Sequence, residues 1–72
     1  MEKALEVTCR EQIYGLKMYE EFTIGGLLYK VVVPYDEKTD SLMAAVYKDY
    51  PLGGFDYNNI LKLDLSWLFG DC

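Results

Sequence analysis

The sequence predicts an α+β fold, in which an N-terminal helix packs on a four-stranded antiparallel sheet. A Gly-Gly pair lies between two alternating apolar runs within residues 18–33, and two further alternating runs cover 42–47 and 61–69. Such runs are typical of half-buried strands. If the N-terminal segment is a strand instead, the alternative is an all-β, five-stranded, SH3-like small barrel. In either case the 72 residues are expected to form a single small domain over 1–72.

The N-terminal segment is compatible with two structures. A stripe with helical spacing is formed by Leu5, Cys9, Ile13 and Leu16. The residues from Leu5 to Cys9 also alternate between apolar and polar, as in a half-buried strand. Good helix formers favour a helix over residues 3–15, but the propensity differences are only tenths of a kcal/mol each. The strand alternative therefore stays open.

A β-hairpin is predicted around Gly25 and Gly26. Glycine enters the left-handed region freely at both positions of a two-residue turn, and alternating residues flank the pair. An aromatic pair and an opposite-charge pair across the strands select the register. That register pairs Ile24 with Leu27, Phe22 with Tyr29 and Glu21 with Lys30.

The remaining elements are predicted from a proline, a polar stretch and the alternation of apolar and polar residues. Pro34 cannot donate a ladder hydrogen bond, so we expect it to end the second strand or to lie on an edge. A polar loop over 35–41 then leads into a third strand at 42–47. The run 61–69, which includes Trp67 and Phe69, predicts a long fourth strand with one apolar face.

Size and cysteine content bear on how the fold is stabilised. A domain of this length gains little from its core alone and usually needs a disulfide, a metal or a partner subunit. Cys9 and Cys72 are the only cysteines, and the chain has no histidine and no metal-binding motif. We expect Cys9 to be a buried free thiol. Self-association into a homo-oligomer is the favoured source of extra stability.

The charge balance is acidic, with a net charge of −5. Nucleic-acid binding depends on Lys and Arg that neutralise phosphates, so direct binding to DNA or RNA is not expected. No run approaches the roughly 20 apolar residues of a membrane span, and the first residues lack the apolar core of a signal peptide. With few cysteines as well, the predicted location is cytoplasmic.

Residues for catalysis are sparse. Without histidine the commonest general base is missing, as is any Ser–His or Cys–His pair. The adjacent carboxylates of Glu20 and Glu21 would point to opposite faces of a strand. The glycine pairs fit no phosphate-binding motif. We therefore expect no enzyme activity, no catalytic residues, no metal and no cofactor.

The strongest candidate site is the segment from Tyr47 to Asn59, where neither strand nor helix periodicity persists. Glycine, proline, asparagine and aspartate favour turns, and tyrosine is favoured at interface hot spots. One interpretation is structural: Phe55 and one or two tyrosines close the end of the core. The functional interpretation is a partner-binding surface formed by Tyr47, Tyr50, Phe55, Asp56, Tyr57 and Asn58, with Asn59 as a further hydrogen-bonding residue.

The sequence thus favours a small acidic intracellular module that binds another protein through this aromatic loop. Its composition is that expected of inhibitors or accessory proteins of phage or mobile-element type, and in a minority form its acids imitate nucleic-acid phosphates. The alternative is an oligomeric protein that binds a small, nucleotide-like ligand in a pocket shared between subunits, where Tyr and Phe rings stack on the ligand.

Overall fold

The computed structural model describes residues 4–48 and 53–69, which form a small, mostly-sheet domain. In chain order the elements are β1 (Leu5–Glu6), α1 (Arg10–Tyr14), β2 (Glu21–Ile24), β3 (Leu27–Asp36), β4 (Ser41–Lys48), β5 (Gly54–Phe55), β6 (Leu61–Asp64) and α2 (Leu65–Leu68). The strands follow the order β1-β2-β3-β4-β5, and β6 also pairs with β4. The sheet is mixed, because β1 runs parallel to β2 while the other pairs are antiparallel.

The predicted hairpin is confirmed, including its register. Phe22 faces Tyr29, and Glu21 faces Lys30 across β2 and β3. The two aromatic rings stack with centroids 5.3 Å apart. Gly25 and Gly26 both have positive φ, 59° and 85°, as the two-residue turn requires.

The N-terminal segment contains both of the predicted alternatives in short form. Leu5 belongs to β1 and is 45% exposed, whereas Ile13 lies in α1 and is fully buried. The helix has only five residues and begins where the side-chain oxygen of Gln12 accepts from the N–H groups of Thr8 (2.7 Å) and Cys9 (3.1 Å). The predicted N-terminal helix on a four-stranded antiparallel sheet is therefore not confirmed. The barrel alternative shares the predominance of strands but lacks the sixth strand and the parallel pair.

Pro34 does not end its strand, so the first of the two expectations for it is wrong. It has no partner residue in β2, whose pairing with β3 covers only residues 27–30, which agrees with the alternative of an edge position. Strand β3 continues through it to Asp36, and the pairing with β4 shifts between Val31 and Val33 and again between Val33 and Asp36. Proline is tolerated where the ladder is already interrupted, since no hydrogen bond is demanded of its nitrogen there. The polar loop is accordingly shorter than predicted, with a turn over 37–40.

The prediction of one long strand over 61–69 is correct only for its first half. Strand β6 ends at Asp64, whose Oδ1 accepts from the N–H of Ser66 (3.1 Å) and so caps α2. This capping overrides the two-residue period, because an aspartate at an N-cap satisfies donors that a helix leaves free. Trp67 consequently lies on the helical turn and is 87% exposed instead of lining one face of a strand.

One face of the sheet carries the core. Fully or nearly buried side chains from the strands, from α1 and from the segments beside them form one cluster: Val7, Ile13, Leu16, Phe22, Tyr29, Val31, Leu42, Ala44, Leu63 and Leu65. Because neighbouring residues along a strand point to opposite faces, Lys30, Ala45 and Tyr47 lie on the other face. This second face carries the predicted site.

Candidate functional site

The predicted site forms a compact group at the end of β4, which we call the loop cluster: Tyr47, Phe55 and Tyr57. Tyr47 faces Phe55 across the pairing of β4 with β5. Their rings meet edge to face with centroids 5.3 Å apart, and the rings of Phe55 and Tyr57 lie 6.5 Å apart. Such geometries are favourable for aromatic pairs. The sequence therefore identified three side chains that the fold does bring together.

The loop cluster does not close the end of the core. Its central ring, Phe55, is half-buried but is not among the partly buried residues that pack against the core cluster. Lys30 covers the ring from the same face, with its Nζ 4.6 Å from the ring centroid. Tyr47 and Tyr57 are 41% and 51% exposed. Within residues 4–48 and 53–69, neither hydroxyl has a hydrogen-bond partner.

Asp56 fixes the turn beside these rings. Its backbone N–H donates to the carbonyl of Val46 (3.0 Å), and its Oδ1 accepts from the N–H of Asn58 (3.0 Å). Its Oδ2 lies 3.2 Å from Nζ of Lys48 and accepts from Nδ2 of Asn59 (3.3 Å). The hydrogen bond from Asn58, followed by the contact with Lys48, lowers the pKa of Asp56 below its usual value.

The remaining site predictions have different outcomes. Asn58 is exposed, but its described contact is the backbone hydrogen bond to Asp56. Asp56 is occupied by three neighbours and therefore acts as a support for the turn in this geometry. Tyr50 lies outside the described residues.

A second aromatic group, which the sequence did not indicate, lies near the turn between β3 and β4. We call it the turn cluster: Arg10, Tyr14, Tyr35 and Asp40. The rings of Tyr14 and Tyr35 lie 4.6 Å apart at an angle of 46°. Nε of Arg10 donates to the hydroxyl of Tyr14 (2.8 Å), and the hydroxyl of Tyr35 donates to Oδ1 of Asp40 (2.6 Å).

An ion pair between Arg10 and Asp40 joins the two halves of the turn cluster. Asp40 has a φ of 52°, a conformation that aspartate tolerates better than most residues. The pair raises the pKa of Arg10 and, together with the hydroxyl of Tyr35, holds the pKa of Asp40 below its usual value. The bond to Asp40, followed by desolvation, raises the pKa of Tyr35 to about 12. The hydroxyl therefore remains protonated at neutral pH.

The chemical state of Cys9 differs from the prediction. It is disulfide-bonded, whereas we expected a buried free thiol on the helix stripe. The residue precedes α1 and is half-buried. The other cysteine of the chain, Cys72, lies outside the described residues. A disulfide sulfur offers no thiolate for nucleophilic chemistry.

Two further properties concern the described part of the chain. No group of three or more His, Cys, Asp or Glu residues in it has an arrangement that could hold a metal ion. None of its helices is long and apolar enough to cross a membrane.

Comparisons with known proteins add no relative to this description. No family model matches the chain, and neither the search of curated proteins nor that of solved structures finds a similar one. The function is therefore inferred from the geometry of the two aromatic clusters.

Proposed function

We propose that this chain is a small protein-binding module whose loop cluster contacts another protein. One observation carries the proposal: Tyr47, Phe55 and Tyr57 form a connected aromatic surface on the sheet face opposite the core, with both tyrosine hydroxyls free of described partners. None of the three rings belongs to the core cluster or to the side chains packed against it. Exposed aromatic groups of this kind are enriched at protein interfaces.

The surroundings of the cluster favour a rigid contact surface. Strand pairing holds Tyr47 against Phe55, and the turn at Asp56 is fixed by hydrogen bonds before any partner arrives. Because little side-chain freedom remains to be lost on binding, more of the contact energy is available for affinity.

The charges near the loop cluster favour an aromatic interface over a surface that imitates nucleic-acid phosphates. Two lysines lie beside the rings and each is paired with an acid: Lys30, over the ring of Phe55, lies 3.9 Å from Glu21, and Lys48 lies 3.2 Å from Asp56. A surface that imitates nucleic-acid phosphates would need unpaired acids at this place. The proposed interface is therefore aromatic, with hydrogen bonds donated and accepted by the tyrosine hydroxyls.

The test compares captured proteins for three forms of the chain. In the first variant, Tyr47→Ser and Tyr57→Ser remove the exposed rings. In the control, Met18→Ser and Tyr19→Ser remove two exposed side chains elsewhere, which are 52% and 64% exposed. Quantitative mass spectrometry of material retained from a lysate of the source cells measures the difference, after circular dichroism has shown that each form is folded.

We expect a specific set of proteins to be lost at least tenfold with the loop variant and to be retained by the control, because truncating a hot-spot tyrosine costs about 1–2 kcal/mol or more. Equal retention by all three forms would remove the loop cluster as the binding surface. A stability change on adding nucleotides or other small metabolites, abolished by the loop variant, would support the small-ligand alternative instead.

A further inference from the structure

Tyr14 and Tyr35 of the turn cluster line an open groove of about 700 Å³. The described residues that line it are Tyr14, Tyr35, Asp36 and Glu37. The groove lies at the β3–β4 turn, whereas the loop cluster lies at the other end of β4. An inference about the groove therefore does not depend on the function proposed for the loop cluster.

The lining of the groove combines neutral rings with charged groups. Beside the rings, Arg10 compensates the charge of Asp40, and Tyr35 is neutral. Asp36 and Glu37 are exposed, and neither forms an ion pair with a residue in the described ranges. Asp36 accepts the backbone N–H of Lys38 (2.9 Å), which leaves its second oxygen open. The lining thus combines two aromatic rings with two negative charges that are not neutralised by contact.

Such a combination fits a cation that is also flat. The face of a tyrosine ring attracts a positive charge, and a guanidinium group stacks on aromatic rings while donating to carboxylates through its planar fork. An ammonium group is a compact point charge and gains less from a pair of rings. The two tyrosine rings are already held in place. The hydroxyl of Tyr14 accepts a hydrogen bond from Arg10, and the hydroxyl of Tyr35 donates one to Asp40.

We propose that the groove lined by Tyr14, Tyr35, Asp36 and Glu37 binds an arginine side chain presented by a basic segment of a partner protein. The guanidinium stacks on the tyrosine rings and donates hydrogen bonds to the carboxylates of Asp36 and Glu37. The net charge of −5 attracts basic partners at longer range, and the groove supplies the local contact.

A capped pentapeptide, Gly-Arg-Gly-Arg-Gly, serves as the probe, and its citrulline counterpart has the same shape without the charge. Titration of the full chain, followed by two-dimensional NMR at low salt, is expected to shift the signals of Tyr14, Tyr35 and their neighbours with the arginine peptide. The citrulline peptide should bind at least about fivefold more weakly, since it loses both the cation–π and the ionic contacts.

Two variants with the same net charge separate the groove from general attraction. Asp36→Asn with Glu37→Gln is expected to weaken the arginine peptide about fivefold or more. Glu20→Gln with Glu21→Gln, which removes two acids outside the groove, should change it less than about twofold. A Tyr14→Leu variant tests the contribution of the aromatic rings, because it removes one ring from the groove and leaves the net charge unchanged.

Three outcomes would overturn the proposal. If both acid variants weakened binding of the arginine peptide equally, net charge alone would account for the binding. Equal binding of the citrulline peptide, or shifts confined to another surface, would exclude the groove as an arginine site. Thermal melts of each variant show whether a loss of binding results from a loss of folding.

Discussion

The two aromatic clusters lie at opposite ends of β4 and are built in opposite ways. In the turn cluster both tyrosine hydroxyls are hydrogen-bonded to side chains, and an arginine–aspartate pair joins the rings to one network. In the loop cluster the rings contact one another, while within residues 4–48 and 53–69 the tyrosine hydroxyls have no partner. The fold therefore fixes the polar ends of one pair of tyrosines in a side-chain network and leaves those of the other pair without a partner in the described residues.

This difference predicts that the loop cluster stabilises the protein mainly through packing and the turn cluster mainly through polar contacts. Removal of the central ring of the loop cluster should therefore destabilise the protein. In the turn cluster, removal of charges or hydroxyls should do so. Three measurements test this division, beginning with the largest expected effect.

The Phe55→Ala variant removes the half-buried ring between Tyr47 and Lys30. We expect the free energy of unfolding to fall by about 1–2 kcal/mol, less than for a fully buried phenylalanine, because part of the ring is already in contact with water. Denaturant unfolding monitored by circular dichroism measures it. Tyr57→Ala, at the exposed margin of the cluster, should cost under about 1 kcal/mol. Equal losses for the two variants would show that Phe55 is not the centre of the cluster.

The Arg10→Met variant tests the network at the other end. It removes the donor to Tyr14 and leaves Asp40 without its ion pair. We expect the melting temperature to fall by roughly 5 °C, since hydrogen bonds to charged groups are worth more than neutral ones. Lys48→Met, which breaks the ion pair with Asp56 in the loop region, is the matched control and should cost about 1 °C. A larger effect of the control would reverse the comparison.

The smallest and most specific effects concern single hydroxyls. Because Tyr35 has its pKa raised from 10 to about 12, its proton is held more tightly in the folded state. The stability that it contributes is therefore complete below pH 10 and is lost as pH rises toward 12. Absorbance titration of the tyrosines should lose its step near pH 12 in Tyr35→Phe. Tyr47→Phe should keep that step and leave the free energy of unfolding unchanged within about 0.5 kcal/mol.

The parts of the fold that were predictable are those set by neighbouring residues. Two glycines and an aromatic pair were enough to give the register of β2 and β3. The proximity of Tyr47, Phe55 and Tyr57 was predictable because they lie within eleven consecutive residues. Each of these signals comes from residues close together in the chain.

The rest depended either on contacts between distant residues or on competition between local signals of similar strength. Arg10 and Asp40 are 30 residues apart, and nothing in either neighbourhood indicates that they meet. The alternation after Leu61 continued through Asp64, but capping of α2 by that aspartate decided the outcome. In the N-terminal segment, helix and strand preferences were nearly equal, and the chain adopted a short piece of each.

The lengths of the outer strands have a consequence for solution behaviour. At one margin of the described sheet lies β1, with two residues, and at the other lie β5 and β6, with two and four residues. Long, flat margins offer unpaired backbone groups to other chains and promote amyloid-like growth, whereas short ones give an incoming strand little to pair with. Because the outer margin is divided between β5 and β6, and α2 follows β6 directly, we expect these margins to add further strands poorly.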